Sequence, residues 1–142
     1  KQKGGGTNIE KYCVNNGDIS NSPPWGQIII ESLTVKPFEE GAAALLYEGQ
    51  YGDKKFAIKV FKGVSEDEKE RRLERLLETS NMIRDIKFKR SGASEEEDLG
   101  IIKMDGTPPK MVAGITDNKE YVALLKWIEG GHLLSYIGRW RT

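Results

Sequence analysis

Lys59 stands in the run Phe56-Ala57-Ile58-Lys59-Val60-Phe61, whose β-branched and aromatic residues mark a strand. A strand alternates its side chains between two faces, so Ala57, Lys59 and Phe61 share one face and Phe56, Ile58 and Val60 the other. A lysine placed between an alanine and a phenylalanine is either solvated on an open face or aimed into a cleft. Further on, Glu66, Glu68, Glu70, Glu74 and Glu78 recur along a charged, helix-prone stretch. Taken by themselves these carboxylates are a solvated helix face paired locally with Arg and Lys. The remaining reactive side chains form no set. His132 and Cys13 are the only histidine and cysteine and lie far apart, which gives no metal-ligand spacing, and no G-x-S-x-G nucleophile turn occurs. His132 follows Gly131 at the expected start of a helix, a capping position. Ser91 and Ser94, between Lys87, Lys89, Arg90 and the acidic run Glu95–Asp98, are candidate phosphorylation sites on a solvated loop.

Elements must hold these residues in place, and the composition limits which. The 142 residues are 37% apolar and 31% charged, enough for one domain with a modest core under a charged surface. Twenty-two basic residues balance 22 acidic ones, which removes the electrostatic argument for nucleic acid or an anionic membrane. No stretch reaches the roughly 20 apolar residues of a membrane helix. Lys1-Gln2-Lys3-Gly4-Gly5-Gly6 carries no apolar leader, and a single cysteine permits no internal disulfide, so a reducing, cytoplasmic setting is expected.

Residues 1–27, rich in Gly, Asn, Ser and Pro, read as a partly flexible arm or linker, with Tyr12 and Trp25 available to pin it. The domain is expected over 28–142. Ile28-Ile29-Ile30 with Leu33 and Val35 reads as a first strand, and Gly41-Ala42-Ala43-Ala44 as a bend. Leu45-Leu46-Tyr47 leads through Tyr51-Gly52-Asp53-Lys54, a hairpin turn, into the strand of Lys59. Ser65-Glu66-Asp67-Glu68 is a capping box, and Leu73, Leu76, Leu77 and Ile83 recur at helical spacing, which predicts a helix over about 65–87. Residues 88–108 read as a solvated insertion with a short strand at Ile101-Ile102. Met111–Ile115 and Tyr121–Trp127 form a final strand pair around the turn Asp117-Asn118-Lys119-Glu120, and His132–Ile137 opens another helix. Antiparallel strands with one inserted helix make an α+β fold.

In this order the motifs resemble the N-terminal lobe of the eukaryotic protein kinases. Phe56-Ala57-Ile58-Lys59 is similar to the family's V-A-I-K strand, whose lysine holds the ATP α- and β-phosphates and pairs with a glutamate on helix αC. Leu46-Tyr47-Glu48-Gly49, starting 13 residues before Lys59, resembles the V-Y-x-G after the glycine-rich loop. Pro109-Lys110-Met111-Val112 with Gly114-Ile115-Thr116 resembles the P-N-I-V entry to strand β4. Leu124–Ile137 resembles the last strand, hinge and start of helix αD, where relatives read E-G-G-S-L. The resemblance spans about residues 28–137 and implies a five-stranded antiparallel sheet with one αC-like helix.

Carried over residue by residue, it implies that Lys59 holds phosphates, with Glu78 as its carboxylate partner and Glu74 second. Glu78 lies 19 residues after Lys59 and has Met82 four positions on, where the family places an apolar residue. Ala57, Leu125 and Trp127 fall at the base and hinge end. Gly41 is the sole glycine kept in Glu39-Glu40-Gly41-Ala42-Ala43-Ala44, where relatives have G-x-G-x-x-G. An acid at Glu39 and a methyl at Ala44 replace glycines that let backbone N–H groups approach phosphate, so ATP binding is expected to be weak or lost. No H-R-D and no D-F-G occurs, so the aspartates that orient the acceptor and hold Mg²⁺ are missing, and no phosphoryl transfer is expected of these residues. The implied role is that of a kinase or pseudokinase lobe in regulation and signalling. The alternative is a free-standing interaction module that engages a protein through its exposed sheet or helix face. The hinge face is expected to be covered by a C-terminal lobe, by self-association or by another protein, with Trp127, Tyr136 and Trp140 as anchors. A back-folded arm could instead cover that face through Trp25 or Tyr12.

Overall fold

The computed structural model describes residues 7–89, 101–104 and 110–127, with the side chains of 7–8 and 83–89 left aside. Its centre is the hairpin of β2 (Ala44–Tyr51) and β3 (Lys54–Phe61), closed by Gly52 at φ 65°. That angle lies in the left-handed region, which glycine enters without a Cβ clash. β3 pairs on its far side with β7 (Tyr121–Lys126), and β7 with β6 (Ala113–Ile115). The two-residue β1 (Glu39–Glu40) pairs with β2. The sheet is five-stranded and antiparallel throughout, in the order β1-β2-β3-β7-β6, and a separate pair joins β4 (Lys103–Met104) to β5 (Lys110–Met111). The architecture is mixed α+β, as expected.

α3 (Glu66–Lys89) follows β3, close to its predicted span. Its start is capped as the sequence suggests. The Glu68 N–H donates to Ser65 Oγ at 3.2 Å, and the Glu68 carboxylate accepts from the Val64 N–H at 2.9 Å. Leu73, Leu76 and Leu77 are buried and pack with Ala44, Leu46, Ala57, Phe61, Ala123 and Leu125, the face of the sheet that includes Lys59. The alternation read from the sequence is therefore real: Phe56, Ile58 and Val60 point the other way, into a second cluster with Val122 and Leu124.

The largest correction concerns the N-terminal quarter. Ile28-Ile29-Ile30 is not a strand but part of α2 (Trp25–Ser32), and Leu33 and Val35 belong to no strand. Trp25, Ile28, Ile29 and Ser32 recur at helical spacing and close the second face of the sheet, with Trp25 edge-on to Phe56 at 5.7 Å. Gly49 on β2 leaves room for α2, since a Cβ there would lie 2.9 Å from Ser32 Oγ. Nor is the expected arm a linker over its described part. α1 (Thr7–Tyr12) and two short 3₁₀ turns, Val14–Gly17 and Ile19–Asn21, pack onto the sheet edge, burying Ile9, Cys13 and Ile19 completely. α3 is thus one of three α-helices among the described residues, not the single helix expected.

Within the expected insertion, α3 runs on to Lys89 and Ile101 bridges to Leu125 on β7. Ser91, Ser94, Glu95–Asp98, His132, Tyr136 and Trp140 lie outside the described residues. The strand expected over Met111–Ile115 is split at Val112, whose N–H donates to the Ile102 carbonyl at 2.8 Å. No helix among the described residues is long and apolar enough to cross a membrane.

The N-terminal segment meets β6 backbone to backbone. A Cβ on Gly114 would sit 2.2 Å from the Gly17 carbonyl oxygen, a distance no side chain accepts without moving the main chain. Gly114→Ala should therefore cost about 3 kcal/mol in urea unfolding. Gly52→Ala, which meets nothing within 4 Å and bears only its left-handed φ, should cost about 1 kcal/mol. Equal losses would show that the segment is not tightly seated.

Candidate functional site

Lys59 sits at the middle of β3, opposite Leu46 on β2 and Ala123 on β7, on the face that α3 covers. The residue is only 9% exposed, and its Nζ lies 5.3 Å from the centroid of the Phe61 ring. Of the two readings open at the sequence level, solvated or aimed inward, the structure gives the inward one. Burial disfavours the charged form and pulls the ammonium pKa down from 10.5 to about 8.

Its neighbours on the sheet are small or apolar. Ala57 is fully buried and pairs with Leu125, itself buried. Two positions beyond Leu125, Trp127 is half-buried against the same cluster. Phe38 packs edge-on to Trp127 at 5.3 Å, the Lys55 ammonium lies 5.4 Å from its centroid, and Lys55 reaches Glu48 at 3.5 Å. Lys59, Ala57, Leu125 and Trp127 thus share one face, as the sequence reading requires. Of the two residues available to pin the arm, Trp25 lies against Phe56 on the opposite face, while Tyr12 packs on the cluster that holds Leu125 and Trp127.

The carboxylates are placed differently from expectation. Glu78 is exposed on α3, and Met82, whose packing was to identify it, is 57% exposed. The buried stripe runs through Leu73, Leu77 and Ser80, and a helix advances about 100° per residue, so Glu78 is turned out by one step from Leu77. Glu74 is half-buried on the flank. The acid that sequence reasoning passed over is Glu70, which has Oε2 buried and stands three and seven positions before Leu73 and Leu77. That i, i+3, i+7 relation to the leucine stripe was its signal. Glu70 and Glu66 face β7 together: Tyr121 approaches Glu66 Oε1 at 3.4 Å, and burial, then the charges of Glu66, Glu70 and Asp67, push the Tyr121 hydroxyl up to about 12.

Gly41 occupies a closed turn between β1 and β2. Its N–H donates to the Ala44 carbonyl at 2.8 Å, and its own carbonyl accepts from Lys62 Nζ at 3.1 Å. The same ammonium reaches the Glu40 carboxylate at 3.2 Å, and the Lys62 N–H donates to the Ala43 carbonyl at 2.8 Å. The turn therefore spends the Gly41 N–H internally and carries a cation that offsets one of its two acids. Among the described residues no group of three His, Cys, Asp or Glu side chains could hold a metal ion. Compared with known proteins, the chain matches no family model, no curated protein and no solved structure.

The Lys59 burial has a thermodynamic consequence. Its folded pKa, about 8, lies below the unfolded value of 10.5, so below pH 8 the charged amine carries its full burial penalty in the folded state. Between 8 and 10.5 the folded state releases its proton first, and stability gained from this group rises with pH. The difference in melting temperature between the native chain and Lys59→Met should accordingly shift in favour of the native chain as pH climbs from 8 toward 10.5. A difference that stays constant across that window would contradict the assignment.

Proposed function

We propose that this chain is a protein-kinase-like N-terminal lobe whose nucleotide cleft is degraded, acting as a regulatory or signalling element and not as a phosphoryl-transfer enzyme. What carries the reading is Lys59: a buried lysine at the centre of a five-stranded antiparallel sheet, under the helix that follows its strand, on one face with Ala57, Leu125 and Trp127. From β2 onward the order of elements, two strands, a long helix, then the strand pair of β6 and β7, is the one the sequence resemblance implies, whereas α2 stands where its first strand was expected. In this reading Lys59 would meet the phosphates, a carboxylate of α3 would balance it, and Ala57, Leu125 and Trp127 would border the base.

Two features support a weakened cleft. Glu39 and Ala44 stand where the family has glycines, and the Gly41 N–H that a phosphate would need is held by Ala44. The cytoplasm is the setting this reading implies, in keeping with one cysteine that is buried and whose thiol burial drives up to about 12, so that it is a poor nucleophile. The second reading is an interaction module that engages a protein partner at the Trp127 end of the sheet, and Phe38, 40% exposed beside Trp127, is the observation that favours it.

Thermal-shift titration of the whole chain with Mg²⁺–ATP separates the two. A degraded cleft gives a shift only near or above about 1 mM nucleotide, and Lys59→Ala removes it. A saturating shift in the micromolar range would overturn the degradation. No shift, or one that Lys59→Ala leaves intact, would reject the cleft in favour of the interaction module.

A further inference from the structure

α3 is a long helix with a narrow hold on the sheet. Over its described side chains the fully buried positions are Leu73, Leu76, Leu77 and Ser80, and most of the others are charged. Such a helix owes its position to packing more than to its own propensity. Part of that packing comes from Phe61, Ala123 and Tyr121 on the sheet. The rest comes from the N-terminal segment: Ile9 and Cys13, each 1% exposed, lie in the same cluster as the three leucines and Met111, and α1 packs directly on α3. α1 has six residues, too few to persist as a helix without that contact.

The segment is also tied to β5 of the separate strand pair. Lys110 Nζ donates to the Lys11 carbonyl at 2.7 Å, and Cys13 forms a parallel bridge to Met111. The chain then turns sharply. Asn15, Asn16 and Gly17 take φ values of 50°, 54° and 90°, three successive residues in the left-handed region, and both asparagines are exposed. Past this turn the allegiance changes, because Ile19 belongs to the second cluster, with Ile28, Ile29, Ile58 and Val122, on the opposite face. Ile9, Tyr12 and Cys13, before the turn, therefore serve α3, while Val14 next to it and Ile19 after it pack on the half of the core that does not touch α3.

We infer that residues 7–17 are a strap that seats α3 over Lys59, hinged at Asn15–Gly17, so that docking or release of the strap sets how tightly the Lys59 site is covered. The second cluster has its own cover in α2, so release leaves the sheet and α2 in place and loosens α3 alone. Whatever captures the strap in its undocked form opens the site, and whatever fills the site under a seated α3 favours docking, since the two share one equilibrium. The inference rests on packing and holds whatever Lys59 binds.

Hydrogen exchange on the full chain, followed by mass spectrometry, tests it with Ile9→Asp, which places a charge where the strap meets the leucines. Amides of residues 66–82 should exchange about tenfold faster or more, while those of 54–61, 121–126 and 25–32 keep their protection. Acetylation of Lys59 by an N-hydroxysuccinimide ester should quicken in parallel, a readout that a merely local change in α1 would not move. Ile9→Val, which removes one methyl group and leaves the fold standing, should give the same pattern in smaller measure. Unchanged exchange in 66–82, or a uniform rise across all segments in Ile9→Val, would overturn the strap.

Discussion

A central strand that is apolar on both faces has to be covered on both faces. β3 is such a strand: Phe56, Ile58 and Val60 on one side, Ala57 and Phe61 on the other, with β2 and β7 along its edges. Burying a large aliphatic or aromatic side chain stabilises by about 1.5–3 kcal/mol, so neither set can be left to water in a domain of this size. α3 covers the Lys59 face. The opposite face needs a second cover, and Trp25–Ser32, with Ile19 and Val14, supplies it. The N-terminal quarter is drawn into the fold by that demand, and α2, the 3₁₀ turns and α1 follow from it as one continuous path around the sheet edge.

The same two-faced strand shows why parts of this fold were legible and others were not. Strand alternation and a capped, leucine-striped helix are local signals, and they gave β3, α3, the β2–β3 hairpin and the β6–β7 turn with small boundary errors. Ile28-Ile29-Ile30 carries no local signal of that kind. Three consecutive β-branched residues suit a strand by propensity, and what decides against it is tertiary: Trp25, Ile28, Ile29 and Ser32 together meet the Phe56 face, a relation visible only once the sheet needs covering. Glycine-rich, polar composition misled in the same way over residues 7–27. Gly26 and Gly114 are there because backbones approach closely, and Gly17 because it turns at φ 90°, not because the chain is loose: a Cβ on Gly26 would lie 2.1 Å from the Ser20 carbonyl oxygen.

At the site, legibility stopped at the helix phase. Which residues of β3 face α3 follows from a period of two and was correct for Ala57, Lys59 and Phe61, while Leu125 and Trp127, placed only by the resemblance, lie on the same face. Which carboxylate faces back depends on a period of 3.6 over a helix with glutamates at 66, 68, 70, 74 and 78, where one step changes the answer. A spacing borrowed from a resemblance favoured Glu78. The leucine stripe, which is the physical constraint, turns Glu70 inward instead and leaves Glu78 in water.

Small side chains on this face explain how a lysine is tolerated there. Alanines at 44, 57, 113 and 123 keep the strand face shallow, so an unbranched four-carbon stem can lie among apolar neighbours while its ammonium runs toward Phe61 and the α3 flank. Larger residues at those positions would fill the space with hydrocarbon and leave the charge nowhere to go. The same alanines keep α3 close to the sheet, and a close helix is what lowers the dielectric around Lys59 and pulls its pKa down. The charge state of the site and the seating of α3 are therefore one variable. A loosened helix admits water, restores the ordinary lysine pKa and removes the electrostatic cost of the buried amine, so the burial penalty on Lys59 itself works against tight seating. The leucines and the N-terminal segment have to outweigh it.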